Sequence, residues 1–326
     1  MPTARPQHDA PELASNTTRW ELLRALGATV LTPPPGNAGP CQALGLPVQT
    51  GAQHTQVFVL SAPPHAAIHL GPEGKLGGEG LDRISGFWRA LGLRAPEDAD
   101  HLGALLLLYA ELGEAETGAH TAKVVSQMRR ARTALLHEHL WSWAPGYLTA
   151  VSGLGVPAIA EWAQLVEQAL RRELAEVEPA TLLPLALREA PPGIDPADSF
   201  DETLDALVAP VRSGMILTYP DLEKAAAAAG LGVRRGERRY ALKAMFEQDA
   251  AGTLQHLAAH AAGWSAVHAA QARGGSHDPC AWWSARATRT STVTAELAAQ
   301  AGAAACPTAG PEPEDNSRRQ GTECSA

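Results

Sequence analysis

The chain of 326 residues carries 35 acidic against 26 basic side chains, a net charge of −9, and is 45% hydrophobic. That is enough apolar material for one large core or two smaller ones, and the negative balance argues against a protein-wide attraction to nucleic acid or anionic membrane and in favour of cationic partners. Ala, Leu, Glu and Arg dominate while aromatics reach only 5%, so helix is favoured nearly throughout and the fold class read from composition is all-α.

In chain order, Leu22, Leu23, Leu26 and Val30 space an amphipathic helix over Trp20 to Leu31, which Pro33-Pro34-Pro35 stops. Val57 to Gly80 combines Val57-Phe58-Val59-Leu60 with Pro63-Pro64 and four glycines from Gly71 to Gly78, too much Pro and Gly for a sustained helix, so a short helical or extended piece leading into an ordered loop is expected. Leu81 to Leu91 is helical, with Ile84, Phe87, Trp88 and Leu91 on one face. His101 to Leu112 is apolar almost all round, the mark of a central buried helix. A polar helix from Thr121 runs through Met128 into Leu135-Leu136-His137-Glu138-His139-Leu140-Trp141-Ser142-Trp143, and Pro145 bends or ends it. Another helix follows from Pro157 to Val177.

Glu189 to Asp205 turns to Pro, Gly and acids and reads as a linker. Beyond it Thr218-Tyr219-Pro220-Asp221 fits an N-terminal capping box, Gly230-Leu231-Gly232 ends that helix, and two more cover Glu237 to Gln248 and Thr253 to Ala272. From Arg273 onward no apolar period appears and disorder is expected. The division is therefore a helical domain over 1–188, a linker over 189–205, a small helical unit over 206–272 and a disordered tail over 273–326.

His137 and His139 invite a metal reading, but residues two apart diverge around a helix, whereas a helical zinc pair needs four. Packing is the better account, with His139 and Trp143 inward beside Leu136 and Leu140, and His137 and Glu138 toward solvent or a partner. Trp143 is expected in the core and Trp141 at least partly open. Cys41, Cys280, Cys306 and Cys324 are scattered and form no ligand cluster, so neither metal nor cofactor is anticipated. Gly71 to Gly78 lacks the ending of a phosphate loop. No apolar run reaches bilayer length, and Met1 to His8 lacks the core of a signal peptide, so a cytoplasmic chain without membrane insertion is expected.

Three segments in order carry a resemblance: Phe58-Val59-Leu60 through Pro63-Pro64-His65-Ala66-Ala67-Ile68-His69-Leu70, then Glu97-Asp98-Ala99-Asp100-His101, then Glu138-His139-Leu140-Trp141-Ser142-Trp143 with Tyr147 beyond. Together they resemble the TorD/DmsD/NarJ family of redox-enzyme maturation chaperones over roughly Trp20 to Leu185. His65 and His69 stand where relatives usually carry aromatics, and Asp98 where a proline is common. The resemblance implies a TorD-like helical bundle and a non-enzymatic, cytoplasmic chaperone. Its implied partner is the apo form of a molybdenum-dependent oxidoreductase subunit or its twin-arginine leader peptide, bound before cofactor insertion or export.

Under that reading the client-binding residues are Pro64, His65, His69, Trp88, Glu97, Asp100, His101, Glu138, His139, Trp141 and Trp143. Glu97, Asp98, Asp100, Glu111, Glu114 and Glu116 include no intervening Lys or Arg and suit a cation, since carboxylates take guanidinium in paired hydrogen bonds. Asp98 or Asp100 could instead cap the central helix, and Asp100 could hold His101. Two other classes stand beside the chaperone. One is a DNA-binding regulator using residues 218–248 as a helix-turn-helix, with Arg234, Arg235, Arg238 and Arg239 at the second helix; arginines there more often pair with nearby acids. The other is a metal-dependent hydrolase, which accounts only for the histidines.

Overall fold

The computed structural model describes residues 10–233, 236–275 and 277–305, and the side chains within 18–304 of these. The longer helices are α1 (Ala10–Leu31), α2 (Gly78–Ala90), α3 (Leu102–Gly118), α4 (Ala122–Ala134), α5 (Ala144–Ser152), α6 (Pro157–Glu176), α7 (Phe200–Val208), α8 (Tyr219–Ala229), α9 (Arg238–Gln248), α10 (Ala250–Gln271) and α11 (Pro279–Ala305). Helix is the sole regular element among the described residues apart from one isolated bridge, so the all-α class expected from composition is what forms.

α3 lies at the centre because it has no polar face to show water until its last turns: Leu102, Leu105, Leu106, Leu108, Tyr109 and Leu112 are all buried. Each such side chain contributes about 1.5–3 kcal/mol on burial. α1 lies against it with Leu23, Leu26 and Val30 inward. The two backbones meet at glycines, where a Cβ on Gly27 would stand 2.8 Å from the Gly103 carbonyl oxygen and one on Gly103 2.6 Å from that of Gly27. α6 closes the bundle with Ile159, Trp162, Val166 and Leu170 on one face, and the Trp162 indole donates to the Leu26 carbonyl at 2.9 Å.

A second core gathers Leu204 and Leu207 of α7, Leu222 of α8, Leu242 and Met245 of α9, Leu257 and Trp264 of α10, and Ala287 and Val293 of α11. Capping follows the sequence here. The Thr218 and Asp221 box starts α8, Gly230 ends it in the left-handed region, and Asp249 caps α10 through the Gly252 N–H at 2.9 Å.

Two expectations are corrected. Residues 279–305, expected to be disordered, form the long helix α11 packed along α10, with Ser265 Oγ 2.7 Å from Thr288 Oγ1 and Ser291 donating to the Ala258 carbonyl. Its stripe is made of Cys280, Trp283, Ala287, Thr290, Val293, Thr294 and Ala298, buried at helical spacing but small and hydroxylic, which is why hydropathy alone passes over it. Residues 306–326, with Cys306 and Cys324, lie outside the described residues. The expected linker contains the start of α7, where Ser199 and Glu202 form a capping box and Leu204 is fully buried. The short piece expected before the glycine loop takes the helical form, a π-helical segment, Thr55–Ser61, and a short helix, Ala66–Leu70.

Candidate functional site

Leu135–Leu140 is π-helical, one residue wider per turn than α4 that leads into it, and Pro145 begins α5 just beyond. The widened turn faces His139 inward against Phe87, ring centroids 4.8 Å apart, while the Trp143 indole donates to the His139 carbonyl at 2.8 Å. His137 reaches the Glu178 carbonyl at 2.9 Å, and Glu138 accepts from the Leu185 N–H at 2.6 Å. Trp141 departs from expectation: it is 3% exposed beneath the Arg171 guanidinium, because α6 covers it.

The loop before Ala66–Leu70 meets the entry to α3 through a single antiparallel bridge between His65 and His101. Buried Pro64 gives its carbonyl to the Leu102 N–H at 2.7 Å, and Asp100 gives its own to Ala66 at 3.1 Å. The Asp100 carboxylate, 2% exposed, accepts from the Ala67 N–H at 2.9 Å and lies 3.1 Å from His65 Nδ1. Burial alone would raise this acid, but those hydrogen bonds outweigh it and hold it below its ordinary value. The pairing with His101 is thus replaced by one with His65. His101 itself caps α3, its Nδ1 accepting from Gly103 at 3.0 Å, so neither Asp98 nor Asp100 does. Burial pushes the His101 imidazole down to about 4.

His69 stacks on Trp143 at 5.0 Å, edge-on to Tyr147, and is 3% exposed with Nε2 unpartnered. Burial, with the nearby Arg238 charge, pushes it down to about 3. Trp88 is half-buried and donates to the Ala99 carbonyl at 3.2 Å.

The expected acidic stretch does not act as one surface. Asp100 is internal, Glu114 pairs with Arg24, and Glu116 takes Arg129 at 2.7 Å and Arg132 at 2.9 Å. Glu97, Asp98 and Glu111 remain exposed. A helix turns a run of acids to different neighbours, so adjacency in sequence does not make a patch.

A network not anticipated from sequence lies nearby. Glu173, 2% exposed, is bound by Arg19, by Tyr109 Oη at 2.9 Å and by Arg132 at 3.3 Å, with Trp20 under both guanidiniums. Its signal was legible: Glu173 continues the apolar stripe Ile159, Trp162, Val166, Leu170, where a charge requires a buried partner.

Two concavities open beside this framework. A cleft of about 1290 Å³ runs between α1, α4 and the segment 176–182, lined by Arg19, Trp20, Val125, Arg130, Val177 and Leu182 among others. A smaller cavity of about 180 Å³ is lined by Ile84, Glu79, Arg83, His139 and Glu189. Glu138 lines both. Of the expected site residues, Glu138 and His139 reach these openings, whereas Pro64, His65, His69, Asp100, His101, Trp141 and Trp143 are buried or half-buried and line neither.

The basic residues of the second unit are engaged internally. Arg239 pairs with Asp201 at 2.7 Å and with Asp205, and Arg238 donates to the Leu217 carbonyl at 2.9 Å; Arg234 and Arg235 lie outside the described residues. No three His, Cys, Asp or Glu among the described residues converge as a metal ion would need, and no helix among them is long and apolar enough to cross a membrane.

The structure is an all-α bundle with a long cleft beside its π-helical turn, an arrangement consistent with a TorD-like fold. Residues 48–148 match the family model of the nitrate reductase delta subunit, the NarJ/TorD-type chaperones of redox-enzyme maturation. The matched stretch holds all three segments that carry the resemblance and stops within α5. No curated protein matches the chain.

Proposed function

We propose that this protein is a maturation chaperone that binds the apo catalytic subunit of a molybdenum-dependent oxidoreductase, or its leader peptide, in the cytoplasm and without catalysing a reaction. The observation that carries the reading is the family match over residues 48–148, the stretch that also shapes one wall of the cleft. The cleft supports it physically. Leu182 stands 56% exposed in its lining, a cost in water that a bound polypeptide relieves. The DNA-binding alternative loses its support where Arg238 and Arg239 are already paired.

Capture of purified subunit by the tagged chain, comparing cofactor-free and cofactor-loaded forms, tests this. The cofactor-free form should be retained preferentially, and Leu182→Asp should weaken retention about tenfold, the loss of one buried leucine contact, with the unfolding midpoint unchanged. Equal retention of both forms, or of neither, overturns the reading.

A further inference from the structure

An unmet positive charge lies where the two cores join. Arg212, in the short helix Pro210–Ser213, is half-buried, and its Nε is sealed from water without a hydrogen-bond partner. Glu202 feels the Arg212 charge but spends an oxygen on the Ser199 N–H and hydroxyl, and forms no ion pair with it. Two further arginines, both on α11, stand beside Arg212. Arg286 Nη1 donates to the Pro191 carbonyl at 3.0 Å while its guanidinium lies 4.7 Å over the Trp282 ring. Arg286 and Arg212 meet at one residue: a Cβ on Gly193 would stand 3.0 Å from Arg286 Nη1 and 3.3 Å from the Arg212 carbonyl oxygen. Burial, then the charges of Arg289 and Arg212, hold the Arg286 guanidinium below its ordinary value. Arg289 has only Asp195, 3.6 Å away between exposed side chains. Three like charges thus gather against one loosely held carboxylate, in a chain whose net charge is −9. A buried charged donor left unpaired is costly, and an anion supplies the missing acceptors.

We propose that Arg212, Arg286 and Arg289 form a subsite for a phosphate-class oxyanion, free or carried on a phosphorylated side chain. A tetrahedral phosphate presents several acceptor oxygens in different directions and up to two charges, which suits guanidiniums arriving from two elements; a carboxylate serves one planar fork. Trp282 fixes the plane of Arg286, and the Pro191 carbonyl takes only one of its nitrogens. The bound anion would brace the join between the cores. Ala190 packs against the first core and Ile194 is buried in the second, so the segment between them is the one these arginines grip. All three arginines lie beyond residues 48–148 and outside the lining of the cleft, so the inference is independent of the client-binding reading.

The test is calorimetric titration of the full-length protein with inorganic phosphate and with N-acetyl-phosphoserine amide, against N-acetyl-glutamate amide and chloride at matched ionic strength. Phosphate in one or both forms should bind about tenfold more tightly than the glutamate amide, and should raise the unfolding midpoint where chloride does not. Arg212→Gln and Arg289→Gln should each loosen phosphate about tenfold, the loss of a charged hydrogen bond. Asp195→Asn should tighten it by removing the competing carboxylate. Arg289 is 57% exposed, so Arg289→Gln should keep the native midpoint in the absence of phosphate and decides the matter alone if Arg212→Gln fails to fold. Tighter binding of the phosphoserine amide than of the free ion supports a phosphorylated side chain as the source; the reverse order supports the free ion. No phosphate binding by the native protein, binding no tighter than that of the glutamate amide, or binding unchanged in Arg289→Gln overturns the proposal.

Discussion

Arg132 and Glu173 show what one buried ion costs. Their side chains are 7% and 2% exposed and share Tyr109, so removing either takes one partner from a buried charge and leaves Glu173 to Arg19, or Arg132 to Glu116. Arg132→Ala should therefore destabilise the protein by about 1.5–3 kcal/mol in urea unfolding, the loss of charged hydrogen bonds to Glu173 and Glu116 while Arg19 stays on Glu173, and more than loss of the surface Arg83 to Glu79 pair at about 0–1 kcal/mol. Similar losses for the two would show that the network is not closed to water. The imidazoles set a pH dependence. His69 lies at about 3, and His101, His139 and His268 at about 4, each lowered chiefly by burial from 6.5. Their folded values lie below the unfolded one, so the unfolded chain takes up the extra protons. Stability is complete above about pH 6.5 and falls as the pH drops toward 4, by about 2 kcal/mol per imidazole at pH 5. Urea midpoints at pH 7 and pH 5 should differ accordingly, and His69→Leu should flatten the slope by one proton; a flat native profile would contradict the burial.

At the scale of elements, α11 is the part whose weight differs most from its sequence. Trp283 reaches from it into the first core, its indole donating to the Ser142 carbonyl at 2.7 Å, and Gln271 at the end of α10 donates to the Pro145 carbonyl and to Thr149. Gly214, at φ 74, lets the backbone pass α11 where a Cβ would stand 2.3 Å from the Ala287 nitrogen. Truncation after residue 272 should lower the thermal midpoint sharply and expose apolar surface. Trp283→Ala should cost about 3–5 kcal/mol in the full chain. A truncated protein as stable as the native one would show that α11 is not part of the folded unit.

Across the whole molecule the two cores are joined rather than tethered. Val211 and Trp283 belong to the core that Trp20, Leu105 and Trp162 build, so residues beyond 200 wall in the aromatic cluster of the family-matched segment. The cluster around His69, Trp143, His268 and Trp283 has contributions from both parts, and Arg238 donates to the Gly74 carbonyl across them. Binding at the cleft and the integrity of the second core should therefore be coupled: Trp283→Ala should also weaken retention of the apo subunit, measured at a temperature where the variant remains folded. Unaltered retention would make the two parts independent.

Helical class, the central placement of α3, the inward turn of His139 and Trp143 and the caps at Thr218 and Gly230 were all legible in the chain. They depend on local spacing and on residue chemistry within one or two turns, which sequence encodes directly. The identity of the cap on α3, the partner of Asp100, the dispersal of the acids from Glu97 to Glu116 and the cavity closed by His139 were decided by tertiary structure. Each depends on which distant backbone or side chain arrives opposite: His65 for Asp100, Arg24 for Glu114, Glu189 for Arg83. A helix distributes neighbouring residues around its axis every 3.6 positions, so a run of like residues states its composition but not its direction, and only packing selects the face that meets a partner.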